Sequence, residues 1–246
     1  MSSAVEEHVL YQIVNAPIRA YPYAHIHVEN VFPADFYARL RANWPDPSAL
    51  VSLADTGRVP KGAYPERFVL PFTPAGIGKL AEDRRAVWEE FGRWFLAGRF
   101  LSAMIEKFEP HVRERFGDDF HLRYGFEVDA LLVRDLTNYS IGPHTDAPHR
   151  LVTMLFYCPD DDARKHLGTS VYVPLDPGFR CNGGPHYPHQ LFHKVATMEY
   201  KPNSLFAFIK NDRSFHGVDP ILDQNVQRDL ILYDIRAIAS TAAAPA

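Results

Sequence analysis

The sequence predicts an α+β chain, with helices first and short strands after them, of the kind that forms a β-barrel or jelly roll with a helical buttress. Two observations carry this expectation. Apolar residues recur at helical spacing through the first half, and after Gly117 the period changes to that of strands. The later segments are short, rich in β-branched and aromatic residues, and mostly bounded by Pro, Gly, Asn or Asp.

Taken in order, residues 1–30 hold a short helical lead and then AHIHVEN, whose alternation predicts a strand. FPADFYARLRANWP carries Phe36, Leu40 and Trp44 at helical spacing, opens on Pro and Asp, and stops at Pro45. Residues 46–75 read as loop, punctuated by five prolines. Residues 77–117 read as two helices divided near Gly98, the second broken or kinked around Pro110. Seven strand-like segments follow, from HLRYGFEVDALLVRDL to RDLILYDIRA. Residues 176–194 have no period at all, and a loop of that length in a compact domain is often a lid or binding loop. The chain is therefore read as one domain over 1–246. A buttress with a leading strand spans 1–117, a strand-rich core with a 176–194 lid spans 118–238, and a frayed tail spans 239–246.

The 246 residues are 46% hydrophobic and 13% aromatic, enough for a sizeable core. A net charge of −4 with scattered Lys and Arg gives no basic face, so nucleic-acid binding is not expected. No segment has the length to cross a bilayer, and the acidic start MSSAVEEHVLYQIVNAP is unlike a secretory signal. Two cysteines without CxxC spacing, Cys158 and Cys181, fit reduced thiols. A cytoplasmic protein that does not engage membranes is the expectation; oligomeric state is not legible.

The chemistry concentrates in GPHTDAPHR, residues 142–150. His144 and Asp146 are two apart, which on an extended segment puts both on one face. His216 lies 70 residues beyond Asp146 in another strand-like segment, SFHGVDPI. Two imidazoles and one carboxylate can bind a metal facially and leave neighbouring positions open, the arrangement of non-haem Fe(II) oxygenases. An HxD tripeptide alone is an ordinary turn in a chain with 12 histidines, so the surroundings matter. Arg228, twelve residues after His216, opens the last strand and can pair bidentately with a carboxylate beside the metal. Tyr139, five residues before His144, can offer the same guest a hydroxyl.

With those residues in place, NYSIGPHTD…SFHGVDPI…QR resembles the 2-oxoglutarate- and Fe(II)-dependent dioxygenases, in the style of their prolyl-hydroxylase-like branch. The resemblance covers residues 120–240 and, more weakly, HIHVENVFPADFYARLRANWP. It implies a double-stranded β-helix with N-terminal helices packed against one sheet. It implies Fe(II) on His144, Asp146 and His216, with the distal carboxylate of the cosubstrate 2-oxoglutarate on Arg228 and a hydrogen bond from Tyr139. The implied reaction consumes O2 and hydroxylates a substrate C–H bond with release of succinate and CO2. A carboxylate at position 146 argues against halogenation, because family halogenases leave that ligand position to chloride. One departure concerns the substrate side, where LGTSVYVP has Thr169 after Gly168 in place of a Gly-Gly pair.

Other readings stand beside this one. His25 and His27 form a pair of the cupin kind without a matching carboxylate. His186, His189 and His193 lack the spacing of a structural zinc site and fit a solvated or substrate-facing loop, and Arg180 and Lys194 beside them either meet an anionic substrate or only keep the loop soluble. Arg134, Arg150 and Arg236 are rivals to Arg228 for the cosubstrate. Thr153 and Tyr157 face either the pocket or the core, His149 is placed at the rim or in solvent, and the cysteines have no adjacent base. The alternatives to the oxygenase are a cupin-type or zinc-dependent enzyme without 2-oxoglutarate, and a non-catalytic barrel that binds a partner through 176–194. A small molecule is the expected substrate, with a peptide side chain as the alternative.

Overall fold

The computed structural model describes residues 3–240; positions 241–246 of the expected tail lie outside the described residues. Helix α1 (Ala4–Asn15) is capped by the Ser3 hydroxyl, which accepts from the Glu6 amide at 3.1 Å. Strand β1 (His25–Glu29) and helix α2 (Ala34–Ala42) follow, and α2 buries Phe36 and Leu40 four residues apart. The stretch expected to be loop contains two strands, β2 (Val51–Ser52) and β3 (Arg67–Pro71). Helices α3 (Pro74–Ile77), α4 (Glu82–Phe95), α5 (Gly98–Lys107), α6 (Glu109–Phe116) and α7 (Phe120–Arg123) complete the helical part. The break at Pro110 is real: Pro110 occupies the first turn of α6, where its missing N–H costs nothing.

The strands after it are β4 (Tyr124–Leu136), β5 (Ile141–His144), β6 (Arg150–Tyr157), β7 (Thr169–Pro174), β8 (Phe192–Met198), β9 (Ser204–Ile209), β10 (His216–Val218) and β11 (Gln227–Ala239). They form two antiparallel sheets, a large one ordered β1-β9-β6-β11-β4-β3-β2 and a small one ordered β5-β10-β7-β8. This is a jelly roll of two sheets, not a closed barrel, and the helices cover one face of the large sheet. No described helix is long and apolar enough to cross a membrane.

Alternation along the large sheet decides what faces where. On β11, Ile231, Tyr233 and Ile235 point to the helices and pack with Trp88, Phe91 and Phe95 of α4. The intervening Leu230 and Leu232 point the other way, with Leu131 and Val133 of β4 and Val171 and Val218 of the small sheet. Burying each of these large side chains stabilises the fold by about 1.5–3 kcal/mol. The same parity puts Arg228 and Asp234 of β11, Asp129 and Asp135 of β4, and Thr153 of β6 on the inner face. That inner face is the floor of the site.

Candidate metal centre

His144 ends β5 and His216 begins β10, and the two are direct partners in the strand register, with ring centroids 4.4 Å apart. Their neighbourhood depends on close backbone approach. A Cβ on Gly217 would lie 2.5 Å from the Ile141 carbonyl oxygen, so only glycine lets β10 pack this tightly on β5. Each imidazole Nδ1 lies 2.9 Å from a backbone carbonyl two residues earlier, Gly142 for His144 and Ser214 for His216. An Nδ1–H donated to those carbonyls fixes each ring and leaves each Nε2 with its lone pair exposed, as a metal-binding histidine requires.

Asp146 lies beyond the end of β5, so a turn rather than a continuous extended strand brings it to the histidines. The Thr145 hydroxyl fastens that turn by donating to the Cys181 carbonyl at 2.7 Å. Thr153 donates to Asp146 Oδ2 at 2.7 Å, and Arg150 donates to Oδ1 at 3.1 Å. One ligand atom from each of His144, Asp146 and His216 falls within 4.8 Å of the others, and all three residues are buried. Burial disfavours ionisation of Asp146, but Arg150 and the two histidines outweigh it and hold the carboxyl well below the usual carboxylate range. Burial and the adjacent His216 push His144 down to about 3, and burial also lowers His216. Neutral imidazoles beside an ionised carboxylate are the protonation states a divalent cation requires.

These three residues open on a cavity of about 420 Å³ that Arg228, Tyr139, Arg67, Thr169 and His186 also line. Arg228 is 1% exposed, donating from Nε to the Leu167 carbonyl at 2.6 Å and from Nη1 to Asp135 Oδ2 at 2.7 Å. Arg67 of β3 grips the same carboxylate through two bonds of 2.7 and 3.0 Å and stacks over the Tyr139 ring at 4.3 Å. Two guanidiniums therefore share one counter-charge, leaving one net positive charge at this end of the cavity. The Tyr139 hydroxyl is buried with no hydrogen-bond partner. An orphaned O–H in a residue lining a cavity beside two arginines is a place for an anionic guest.

The structure sorts the remaining expectations. Thr153 faces the site, whereas Tyr157 donates to Thr169 Oγ1 at 2.7 Å deeper in the fold. Arg134 lies on the opposite face of the large sheet, bound to Asp229, and Arg236 is paired with Asp129, so neither stands beside Arg228. Arg150 belongs with Asp146 and with Asp234, 3.1 Å away. That second pair is close in distance but not aligned, since neither Asp234 oxygen has a hydrogen-bond partner. Burial raises Asp234 to about 6 despite Arg150. His149 is exposed. Burial raises the Cys158 thiol to about 12, which removes it as a nucleophile.

The 176–194 loop is shorter than expected, because residues 192–194 belong to β8. It is tied to the ligand turn: the Gly184 amide donates to the Thr145 carbonyl and the Tyr187 amide to the Pro143 carbonyl. Gly183, at φ 130°, sits where a Cβ would fall 2.8 Å from Pro148 and 2.9 Å from the Asp146 carbonyl oxygen. Phe179 and Tyr187 of the loop pack with Phe192 and with Phe215, the neighbour of His216. Of its histidines only His186 reaches the site, 4.8 Å from the His144 ring and 2.9 Å from the Tyr64 hydroxyl. Lys194 and His189 instead lie near Asp219. His25 and His27 join no cluster of three metal-type ligands among the described residues.

No family model matches the chain, and no curated protein matches it. Similar solved structures exist. A Pseudomonas putida prolyl-4-hydroxylase is 14% identical over 94% of this chain and 98% of its own, with a TM-score of 0.45. An oxidoreductase of the 2OG-Fe(II) oxygenase family from Burkholderia pseudomallei is 13% identical over 96% and 91%, at 0.43. HygX from Streptomyces hygroscopicus, with nickel and 2-oxoglutarate bound, is 13% identical over 86% and 82%, at 0.48.

Proposed function

We propose that this chain is an Fe(II)- and 2-oxoglutarate-dependent oxygenase that hydroxylates a C–H bond of a small-molecule substrate, releasing succinate and CO2. One observation carries the reading: two neutral imidazoles and a carboxylate converge at one end of a cavity whose other end presents a shared pair of guanidiniums and an orphaned tyrosine hydroxyl. A hydrolytic metal site needs the first group of residues. A cosubstrate that carries a carboxylate away from the metal accounts for the second group.

The residues fit the groups they would hold. His144, Asp146 and His216 offer two borderline nitrogen donors and one hard oxygen donor, a set suited to Fe(II). Arg228, with Arg67 beside it, would hold the distal carboxylate of 2-oxoglutarate, and Tyr139 would donate a hydrogen bond to it. When bound, Fe(II) with 2-oxoglutarate supplies oxidative decarboxylation coupled to oxidation of a C–H bond. The chain's own part is placement and exclusion of water. Leu155, Leu230 and Leu232 line the middle of the cavity and keep it apolar between its two charged ends. Tyr64 and His186 meet over the metal-binding residues and would limit entry to a small molecule.

Purified protein incubated aerobically with Fe(II), 2-oxoglutarate and ascorbate is expected to release succinate slowly without substrate. His216→Ala is expected to abolish that release. Arg228→Gln is expected to raise the KM for 2-oxoglutarate while leaving Fe(II) affinity unchanged. No succinate from the intact protein, or an unchanged KM in the Arg228 variant, overturns the proposal.

A further inference from the structure

A second cavity, of about 360 Å³, adjoins the first and shares Leu53, Val59, Arg67, Ala147, Arg150 and Leu232 with it. Its floor is the apolar inner face of the large sheet, from Val69, Leu131, Val133 and Leu232. Its walls carry four guanidiniums, from Arg58, Arg67, Arg150 and Arg236, and no Asp or Glu side chain lines it.

The acids lie behind the arginines. Asp129 takes two bonds from Arg58 and one from Arg236, Asp135 takes Arg67 and Arg228, and Arg150 lies between Asp146 and Asp234. Arg58 is the most open of the four cavity arginines, its side chain 32% exposed, while Asp234 is 1% and Asp135 0% exposed. Five guanidiniums face four carboxylates across the two cavities. A divalent cation on Asp146 would raise the excess to three positive charges, and a 2-oxoglutarate dianion would lower it to one. One positive charge therefore remains for the substrate. The Arg236 Nε–H is in addition buried without an acceptor.

We propose that this second cavity is the substrate's anion subsite. It takes the carboxylate of an organic acid between Arg58 and Arg236 and lays the acid's apolar chain over Leu131, Val133 and Leu232, toward the metal-binding residues. The N–H donors that Arg58 and Arg236 do not spend on Asp129 favour a carboxylate, and the apolar floor favours a carbon chain over a small inorganic anion. The word substrate rests on the oxygenase reading; the anion subsite itself rests on the cavity.

The test uses the full chain loaded with Zn(II) and 2-oxoglutarate and three acid–amide pairs: hexanoate with hexanamide, phenylacetate with phenylacetamide, and 4-phenylbutyrate with its amide. Ligand-observed saturation-transfer NMR gives each Kd. At least one acid is expected to bind about tenfold or more tighter than its amide, the scale of a charge-assisted hydrogen bond. Arg58→Gln and Arg236→Gln should each remove most of that preference, Arg58→Lys should keep part of it, and 2-oxoglutarate affinity should not move. If Arg236→Gln fails to fold, Arg58→Gln decides, since its side chain sits at the open side. Equal binding of acid and amide in every pair overturns the proposal. So does a preference that survives both Gln variants but disappears as 2-oxoglutarate saturates, because the acid then occupies the cosubstrate end. A preference lost in the Gln variants of a protein that does not bind 2-oxoglutarate supports the subsite and sinks the oxygenase reading instead.

Discussion

Asp135→Asn isolates the arrangement on which the cosubstrate end depends. Asp135 is 0% exposed and is the shared counter-charge of Arg67, itself largely buried, and of Arg228, 1% exposed. Asparagine keeps the shape and removes the charge, stranding two guanidiniums in the interior. Breaking a buried ion pair by neutralising one partner costs about 3–5 kcal/mol. For a chain of this length each kcal/mol moves Tm by about 2–4 °C, so thermal unfolding followed by circular dichroism should fall by about 6–20 °C. Added 2-oxoglutarate should recover part of the loss, because its dianion supplies the missing counter-charge. A ligand at a hundred times its Kd stabilises by about 2.7 kcal/mol, so the recovery should amount to several degrees and exceed the wild-type shift at the same concentration. A loss below about 2 °C would mean instead that the guanidiniums are hydrated and do not depend on Asp135.

Three further outcomes follow from the metal centre. Thr153→Val removes the 2.7 Å bond to Asp146 Oδ2 without changing side-chain volume. Fe(II) affinity measured by calorimetry should drop about 10–100-fold with the fold intact, and an unchanged affinity would count against the role given to Thr153. Gly217→Ala places a methyl group 2.5 Å from the Ile141 carbonyl, which should separate β10 from β5 and cost about 1–3 kcal/mol together with metal affinity. A variant of wild-type stability would show that the strands have room. Without metal, stability should fall on acidification. His144 and His216 have folded pKa values below the unfolded value, so the unfolded chain binds more protons once pH drops below about 6.5. For His144 the loss continues down to about pH 3, with a slope approaching 1.4 kcal/mol per pH unit for each group at about 25 °C. Asp234, raised to about 6, acts in the opposite sense between its unfolded value near 3.8 and 6, and so flattens the net curve. Urea titrations at pH 7, 6 and 5 check this, and a midpoint that does not move contradicts it.

The helices were legible because their signal is local: Phe36 and Leu40, or Trp88, Phe91 and Phe95, repeat at the spacing of one helix face. The three residues that converge were legible for a similar reason, since His144 and Asp146 are near neighbours in sequence and His216 lies in another strand-like segment. What the sequence hid was pairing across long separations. Strand β3 lies between Pro65 and Pro71 in a Pro-rich stretch and owes its existence to hydrogen bonding with β4, so Arg67 was invisible as a partner of Arg228. Arg150 was a rival for the cosubstrate until its contacts were known; Asp234, 84 residues away, is brought to it by β6–β11 pairing. His186 sits in a stretch without period, and its place depends on a loop folded back onto Pro143 and Thr145.

On the proposed reading, one cavity binds Fe(II) and 2-oxoglutarate together. Anaerobic titration of the protein with Fe(II), then with 2-oxoglutarate, reports both at once, because chelation of the metal by the keto acid produces a visible metal-to-ligand charge-transfer band. A saturable band is expected in the intact protein, with its loss in His144→Ala and its retention in His25→Ala. Absence of the band in the intact protein, or its persistence in His144→Ala, would contradict it.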